Sequence, residues 1–276
     1  MATVAVFGDL SGHSKPLYEA LENLDVDLAV GTIPEGLTIV QLGDLVHRGP
    51  DGDEAVAFVD RMLEANPGQW IQLLGNHEAH HLGGPRFGVC DCGPATVSTL
   101  GRWLADDRAQ LAVALELEDG NEVLVTHAGL TCDRWLSLGS PRTAAEAAEA
   151  INEQLREDRK VAFAAGDMLH GFEDDLPGVV WAGAGGELYA SWTGRYEPPF
   201  DQAHGHSSAL DWDRGQWYLG MPRQLERGAI VDPLTRHLTV TIGNAKFHSI
   251  DPCYGRHDPS WPLVPLVLQG KVAGRG

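Results

Sequence analysis

Three times in its first third the chain repeats one event: a short apolar run ends at a glycine, and the next residue can hold a metal ion. Val4 to Phe7 ends in Gly8-Asp9, Leu37 to Leu42 in Gly43-Asp44, and Trp70 to Leu74 in Gly75-Asn76. Between them lies helical text. Lys15 to Leu24 has the period of a helix. A second helix, with Asp53 as N-cap, brings Ala55, Val56, Phe58, Val59, Met62 and Leu63 to one face before Asn66-Pro67-Gly68 stops it. Strand, helix and strand in this repetition specify βαβ units, hence a sheet with parallel strands whose carboxyl ends share one edge. Open α/β sheets bind ligands at that edge. Taken singly, a strand ending in Gly-Asp is usually a turn, because both residues suit turn geometry. Three in succession point to a site.

The rest of the chain is less regular. From Ala79 to Pro94 it reads as loop, with His80, His81, Gly83, Gly84 and Pro85, long enough to rim a site. Helical text returns from Ala95 to Leu104, and Glu122 to Thr126 is a strand that delivers His127. The Ala/Glu-rich stretch from Thr143 to about Arg159, opened by Ser140-Pro141, is expected to be a packing or cap helix without chemistry. Strands are expected at Val179 to Trp181, Phe200 to His204, Gln216 to Leu219, Ala229 to Val231 and His237 to Ile242, forming a second, mostly antiparallel sheet. The expectation is one domain over 1–276, with a helical cap-like insertion around 131–178 and an irregular tail from Asp258 to Gly276.

A hydrophobic content of 43% can supply a core of this size. The charge is lopsided: 20 Lys+Arg against 39 Asp+Glu give a formal net charge of −19. Such a surface repels nucleic acid and anionic membrane at long range, so stable binding to either is not expected. No apolar stretch is long enough to span a bilayer, and the first strand has no basic segment ahead of it, so a cytoplasmic protein is expected. The four cysteines, Cys90, Cys92, Cys132 and Cys253, are too few and scattered for a disulfide framework. Cys90 and Cys92 are one residue apart, a poor chelating spacing, and read as ordinary reduced thiols rather than a zinc site.

Two later histidines extend the set. His127 follows Val123-Leu124-Val125-Thr126, and His206 closes Ala203-His204-Gly205-His206. A lone His after a strand is more often a hydrogen-bonded side chain than a ligand. Together with two carboxylates and an amide, however, imidazoles are what Mn, Fe, Zn or Mg would use in a paired site bridged by one carboxylate, and Asp44 is the natural bridge. His204 is left as an outer group or a structural one.

These motifs resemble a known family. Gly8-Asp9-x-x-Gly12, Gly43-Asp44-x-x-x-Arg48-Gly49, Gly75-Asn76-His77-Glu78, His127-Ala128-Gly129 and Gly205-His206-Ser207 are similar, in the right order, to those of the calcineurin-like metallophosphoesterases. The nearest branch holds serine/threonine phosphoprotein phosphatases and diadenosine tetraphosphate hydrolases. The resemblance implies an α/β fold, a four-layer α/β/β/α sandwich of two mixed sheets flanked by helices. It implies two divalent ions, with Mn first and Fe, Zn or Mg as alternatives. Asp9 would serve the first ion, Asp44 both, and Asn76, His127 and His206 the second. His77 would be the general acid, and Arg48, with Asn76 and His77, would contact the substrate phosphate. Glu78 is read as a supporting carboxylate at a helix start.

Two departures accompany the likeness. The family's first motif carries a metal-binding His where this chain has Ser11; His13 is the candidate replacement, against a plain helix-start side chain facing solvent. The family's second motif carries an Asp that orients the acid where this chain has His47. The expected activity is hydrolysis of a phosphomonoester or nucleotide phosphoanhydride by a metal-activated water, on a phosphorylated small molecule, nucleotide or phosphoprotein. A phosphodiesterase with the same centre, and a catalytically degenerate phospho-ligand-binding module, are the alternatives.

Overall fold

In the computed structural model, residues 2–89, 92–171, 176–255, 257 and 259–274 are described. Cys90 and Asp258, which figure in the expectations above, lie outside them. The strands are β1 (Thr3–Phe7), β2 (Leu37–Gln41), β3 (Trp70–Leu73), β4 (Ala109–Gln110), β5 (Ala112–Leu117), β6 (Glu122–Thr126), β7 (Asp201–His204), β8 (Leu210–Asp211), β9 (Gln216–Trp217), β10 (Ile230–Asp232), β11 (His237–Ile242), β12 (Ala245–Ser249) and β13 (Leu266–Val272). Helices relevant to the site are α1 (Ser14–Glu22), α2 (Gly52–Ala65), α3 (Asn76–Ala79), α4 (Pro94–Ala105), α5 (Cys132–Ser137), α6 (Ala144–Glu157), α7 (Arg159–Ala162) and α8 (Asp167–His170). A π-helical turn follows at Ala184–Tyr189.

β1 to β4 form the parallel half that the βαβ repetition demands. In the other half β5 and β6 are antiparallel, β6, β7 and β12 run parallel, and β11 and β10 return antiparallel. The two halves face each other. Val4, Val6, Val40, Leu42, Ile71 and Leu73 from one meet Val113, Leu115, Val123, Val125 and Ala203 from the other in a dry inner layer. Burying each such side chain contributes roughly 1.5–3 kcal/mol. Leu17, Leu21, Val59 and Trp103 of α1, α2 and α4 cover the opposite face of the parallel half. On the far side α6 lays Ala147, Ile151 and Leu155 against Ala112, Ala114 and Leu124. Leu188, Tyr189 and Trp192 cover β11 and β12 through Leu238, Val240 and Phe247. The four-layer α/β/β/α arrangement follows.

Several expectations need correction. The tail is not irregular: it supplies β13, which sits between the halves. Leu266 to Gln269 pair with β1, and Gly270 to Val272 pair with β5. Prolines and few charges suggested coil, but long-range pairing on both sides overrides local text. Val179 to Trp181 is a buried turn rather than a strand; the Val179 carbonyl accepts from Ala128 N at 2.7 Å. Within the stretch expected as a cap, α6 is a flanking layer on β5 and β6, while Asp167 and Met168 of α8 reach the rim of the cleft described below.

Candidate metal centre

Parallel pairing decides where the polar residues meet. β1, β2 and β3 end together and present Asp9, Asp44 and Asn76; β6 and β7 run parallel and present His127 and His206 at the same edge of the sandwich. Of the ten non-glycine residues with positive φ among those described, five stand in these turns: Ser11 (48°), Asp44 (55°), His47 (71°), Arg48 (65°) and His206 (63°). Such backbone costs on the order of 1–3 kcal/mol per residue, so strain collects where the chemistry is. Gly43, at φ 103°, shows why the motif needs glycine: a Cβ there would run into Gly75, closing the space between the second and third turns.

The side chains converge. The Asn76 side-chain oxygen lies 3.1 Å from His127 Nε2 and 3.1 Å from His206 Nδ1, and His127 Nε2 lies 3.4 Å from Asp44 Oδ1. Asp9 Oδ1 accepts from His206 N at 3.0 Å. His127 Nδ1 donates to the Leu42 carbonyl at 3.0 Å, which fixes the tautomer and leaves Nε2 as a lone pair aimed inward. His206 Nε2 is buried with no hydrogen-bond partner. Hydrogen bonding alone would turn the Asn76 amide NH2 inward, toward Asp44, His127 and His206; a cation would turn its oxygen inward. A carboxylate, an amide oxygen and two imidazole lone pairs facing one point fit a divalent ion.

Electrostatics agree with this fit. Burial alone would raise the Asp44 carboxyl, but facing His77, His127 and His206 outweigh it and hold its pKa down at about 2. Burial also drives His206 down to about 3 and lowers His127, so both rings are neutral lone-pair donors at physiological pH. Asp9 is pushed well above the usual carboxylate range by burial and by the charges of Asp251 and Asp44. Burial likewise raises Asp251. Closely placed buried carboxylates need a positive counter-charge, and Arg48 is the side chain whose charge bears on both Asp9 and Asp251. Arg48 is exposed and lines a cleft of about 440 Å³ together with Asp9, Asp44, His206 and Asp251.

His77 Nδ1 donates to the Val46 carbonyl at 2.9 Å, directing Nε2 to within 3.6 Å of Asp44 Oδ2. A backbone carbonyl thus orients His77. His47, at the family's Asp position, turns its Nε2 to His81 instead. Glu78 is fully buried and accepts from Asp44 N (2.7 Å), Leu45 N (2.8 Å) and Gly75 N (2.9 Å), so it ties the second and third turns together. Two candidates turn elsewhere. His13, read as the stand-in for the missing His, is not brought to the convergence point: its Nε2 bonds the Gly255 carbonyl at 2.9 Å and its ring packs edge-on to Tyr254. His204 is buried against Tyr189, bonding its hydroxyl at 2.9 Å. Asp251 is the residue the sequence reading missed. It follows β12, which runs parallel to β7 and ends at the same edge. The signal was an alternating strand, Ala245-Lys246-Phe247-His248-Ser249, running into Ile250-Asp251.

A sandwich with carboxylates, an amide and imidazoles gathered at its strand ends defines a metallohydrolase type of site. A family model described as calcineurin-like phosphoesterase matches residues 2–207, and the chain belongs to this family. It is similar to a symmetrical bis(5'-nucleosyl)-tetraphosphatase of Pseudomonas fluorescens, 30% identical over 172 residues, which are 57% of this chain and 50% of that one. It also resembles a zinc-dependent endopolyphosphatase of Saccharomyces cerevisiae, 31% identical over 71 residues, 26% of this chain and 19% of that one. The cold-active protein-tyrosine phosphatase of a Shewanella species shares the fold, with a TM-score of 0.50 and 17% identity over 88% of this chain and 76% of that one. The chain spans about half the length of the first of these curated relatives and less of the second.

Proposed function

We propose that the chain hydrolyses a phosphomonoester or a nucleotide phosphoanhydride at two divalent ions, with Mn2+ first among them. The carrying observation is the convergence of Asp44, Asn76, His127 and His206 on one point, with His127 locked in the ligating tautomer by Leu42. Asp9, Asp44 and Asp251 would hold the first ion, and Asp44, Asn76, His127 and His206 the second. Bound there, divalent ions lower the pKa of a water and polarise the phosphoryl group. The chain's own residues do the rest. Arg48, free to reach the cleft, matches the phosphate oxygens with its planar fork. His77, fixed through Nδ1, carries at Nε2 the proton for the leaving oxygen. Exposed Tyr218 and Leu219 on the cleft rim offer an apolar platform for a nucleobase. The tetraphosphatase likeness supports a nucleotide anhydride over a phosphoprotein.

No helix among the described residues is long and apolar enough to cross a membrane. The cytoplasm is the proposed compartment, supported by the sparse cysteines, and the acidic surface argues against stable nucleic-acid partners. The test is a panel of monoester, diester and dinucleoside polyphosphate substrates with Mn2+, Mg2+, Zn2+ or Fe2+, with Asp44→Asn as control. Turnover of the monoester or dinucleotide that is lost in Asp44→Asn supports the reading. Preference for the diester would make the chain a phosphodiesterase. Metal binding without turnover of any member would make it a phospho-ligand-binding module.

A further inference from the structure

Behind His77 lies a second group of donors that the hydrolytic centre does not use. His47 Nε2 is 2.9 Å from His81 Nε2, and one ring nitrogen of each histidine and the Cys92 sulfur all lie within 4.8 Å of one another. They come from three places in the chain: the turn after β2, the residues following α3, and the approach to α4. His47 is buried, and His81 and Cys92 are half-buried. The rings of His77, His80 and Phe87 lie 4.9, 5.8 and 6.4 Å from the His47 ring and pack around it. Burial and the neighbouring imidazoles push His47 down to about 3, so its ring is a neutral donor.

Among the described residues the group is two imidazoles and a thiol, a borderline-soft set that suits Zn2+ better than Mg2+ or Mn2+. Zinc holds imidazole nitrogen at about 2.0–2.1 Å and thiolate sulfur at about 2.3 Å in a tetrahedron, so ligand atoms should stand roughly 3.3–3.8 Å apart. Side-chain shifts of about 1 Å bring the trio to that spacing. We propose that His47, His81 and Cys92 form a separate zinc site that clips the residues following α3 to the turn carrying Arg48. Binding releases the thiol proton to solvent. In this site Cys92 would be a ligand rather than an ordinary thiol, and because the His47 and His77 rings lie 4.9 Å apart, the site also braces the ring behind the acid.

The test uses Co2+ as a spectroscopic stand-in. A thiolate-to-cobalt charge-transfer band can arise only where sulfur is a ligand, and the centre proposed from Asp9, Asp44, Asn76, His127, His206 and Asp251 contains none. The full chain should give this band, Cys92→Ser should abolish it and His81→Ala should weaken it, while Asp44→Asn and Cys253→Ser keep it. Should Cys92→Ser fail to fold, the wild-type chain still decides: Zn2+ should slow alkylation of Cys92 by iodoacetamide, mapped by peptide mass spectrometry. No charge-transfer band at cobalt saturation, a band that survives Cys92→Ser, or alkylation indifferent to Zn2+ overturns the proposal.

Discussion

Asp9 and Asp251 are buried carboxylates brought to the same strand edge as Asp44, and their pKa values are raised by burial first, then by the charges of Asp251 and Asp44 on Asp9 and of Asp44 on Asp251. A group whose folded pKa lies above its unfolded value stabilises the fold below the unfolded value, near 3.8 here. That contribution is lost as pH rises through the folded value. Above that window the metal-free chain therefore holds repelling charges, and a divalent ion relieves them. His206, at about 3, is already neutral in mild acid, and burial lowers His127 as well. The rise in Tm on adding Mg2+ or Mn2+ should consequently be larger at pH 8 than at pH 5, as read by scanning calorimetry on chelator-treated protein. Equal shifts at both pH values would show that the carboxylates are not ligands. Asp251→Asn should weaken binding of one ion by at least about 10-fold and leave the other nearly unchanged, measured by competition with a chelating dye. Loss of both ions together would place Asp251 outside the centre.

Among the elements, β13 joins what would otherwise be two separate sheets, pairing with β1 through Leu266 to Gln269 and with β5 from Gly270 onward. A side chain at Gly270 would collide with the backbone of Glu116 and Leu117. Gly270→Val should therefore cost about 1–3 kcal/mol by overpacking, seen as a lower urea midpoint with an unchanged metal preference. A neutral substitution would mean that the strand crosses with slack. That strand was illegible in the sequence because its ladder is wholly long-range, whereas β1 to β3 announce themselves through local apolar runs and the helices between them. α6 was legible for the same reason: Thr143 caps it, with Glu146 returning the bond. Val179 to Trp181 shows the opposite error, since its apolar residues are buried as a turn under the sheet and mimic a strand in text. The five strand-end candidates were readable because each follows a readable strand. Asp251 was not, because β12 had gone unread, and His13 failed because a ring two bonds from its backbone can turn to a carbonyl from the far end of the chain.

For the molecule as a whole, the formal net charge of −19 and the acidic cleft set how substrate arrives. Under the proposed function, a polyphosphate approaching such a surface would be repelled until it met Arg48 and the cations of the proposed centre. Repulsion between like charges reaches about 30 Å at 0.01 M salt but only about 8 Å at 0.15 M. Raising the salt across this range should thus increase kcat/KM for a dinucleoside tetraphosphate a few-fold, the reverse of ordinary electrostatic steering. The rise should be smaller for a monoester, which carries less charge. kcat at saturating substrate should hardly move, because the reacting groups are buried and little screened. These three readings separate approach from chemistry in one stopped-flow or steady-state series. A fall in kcat/KM with salt would show that the local positive site governs the encounter, and that the acidic surface serves solubility alone.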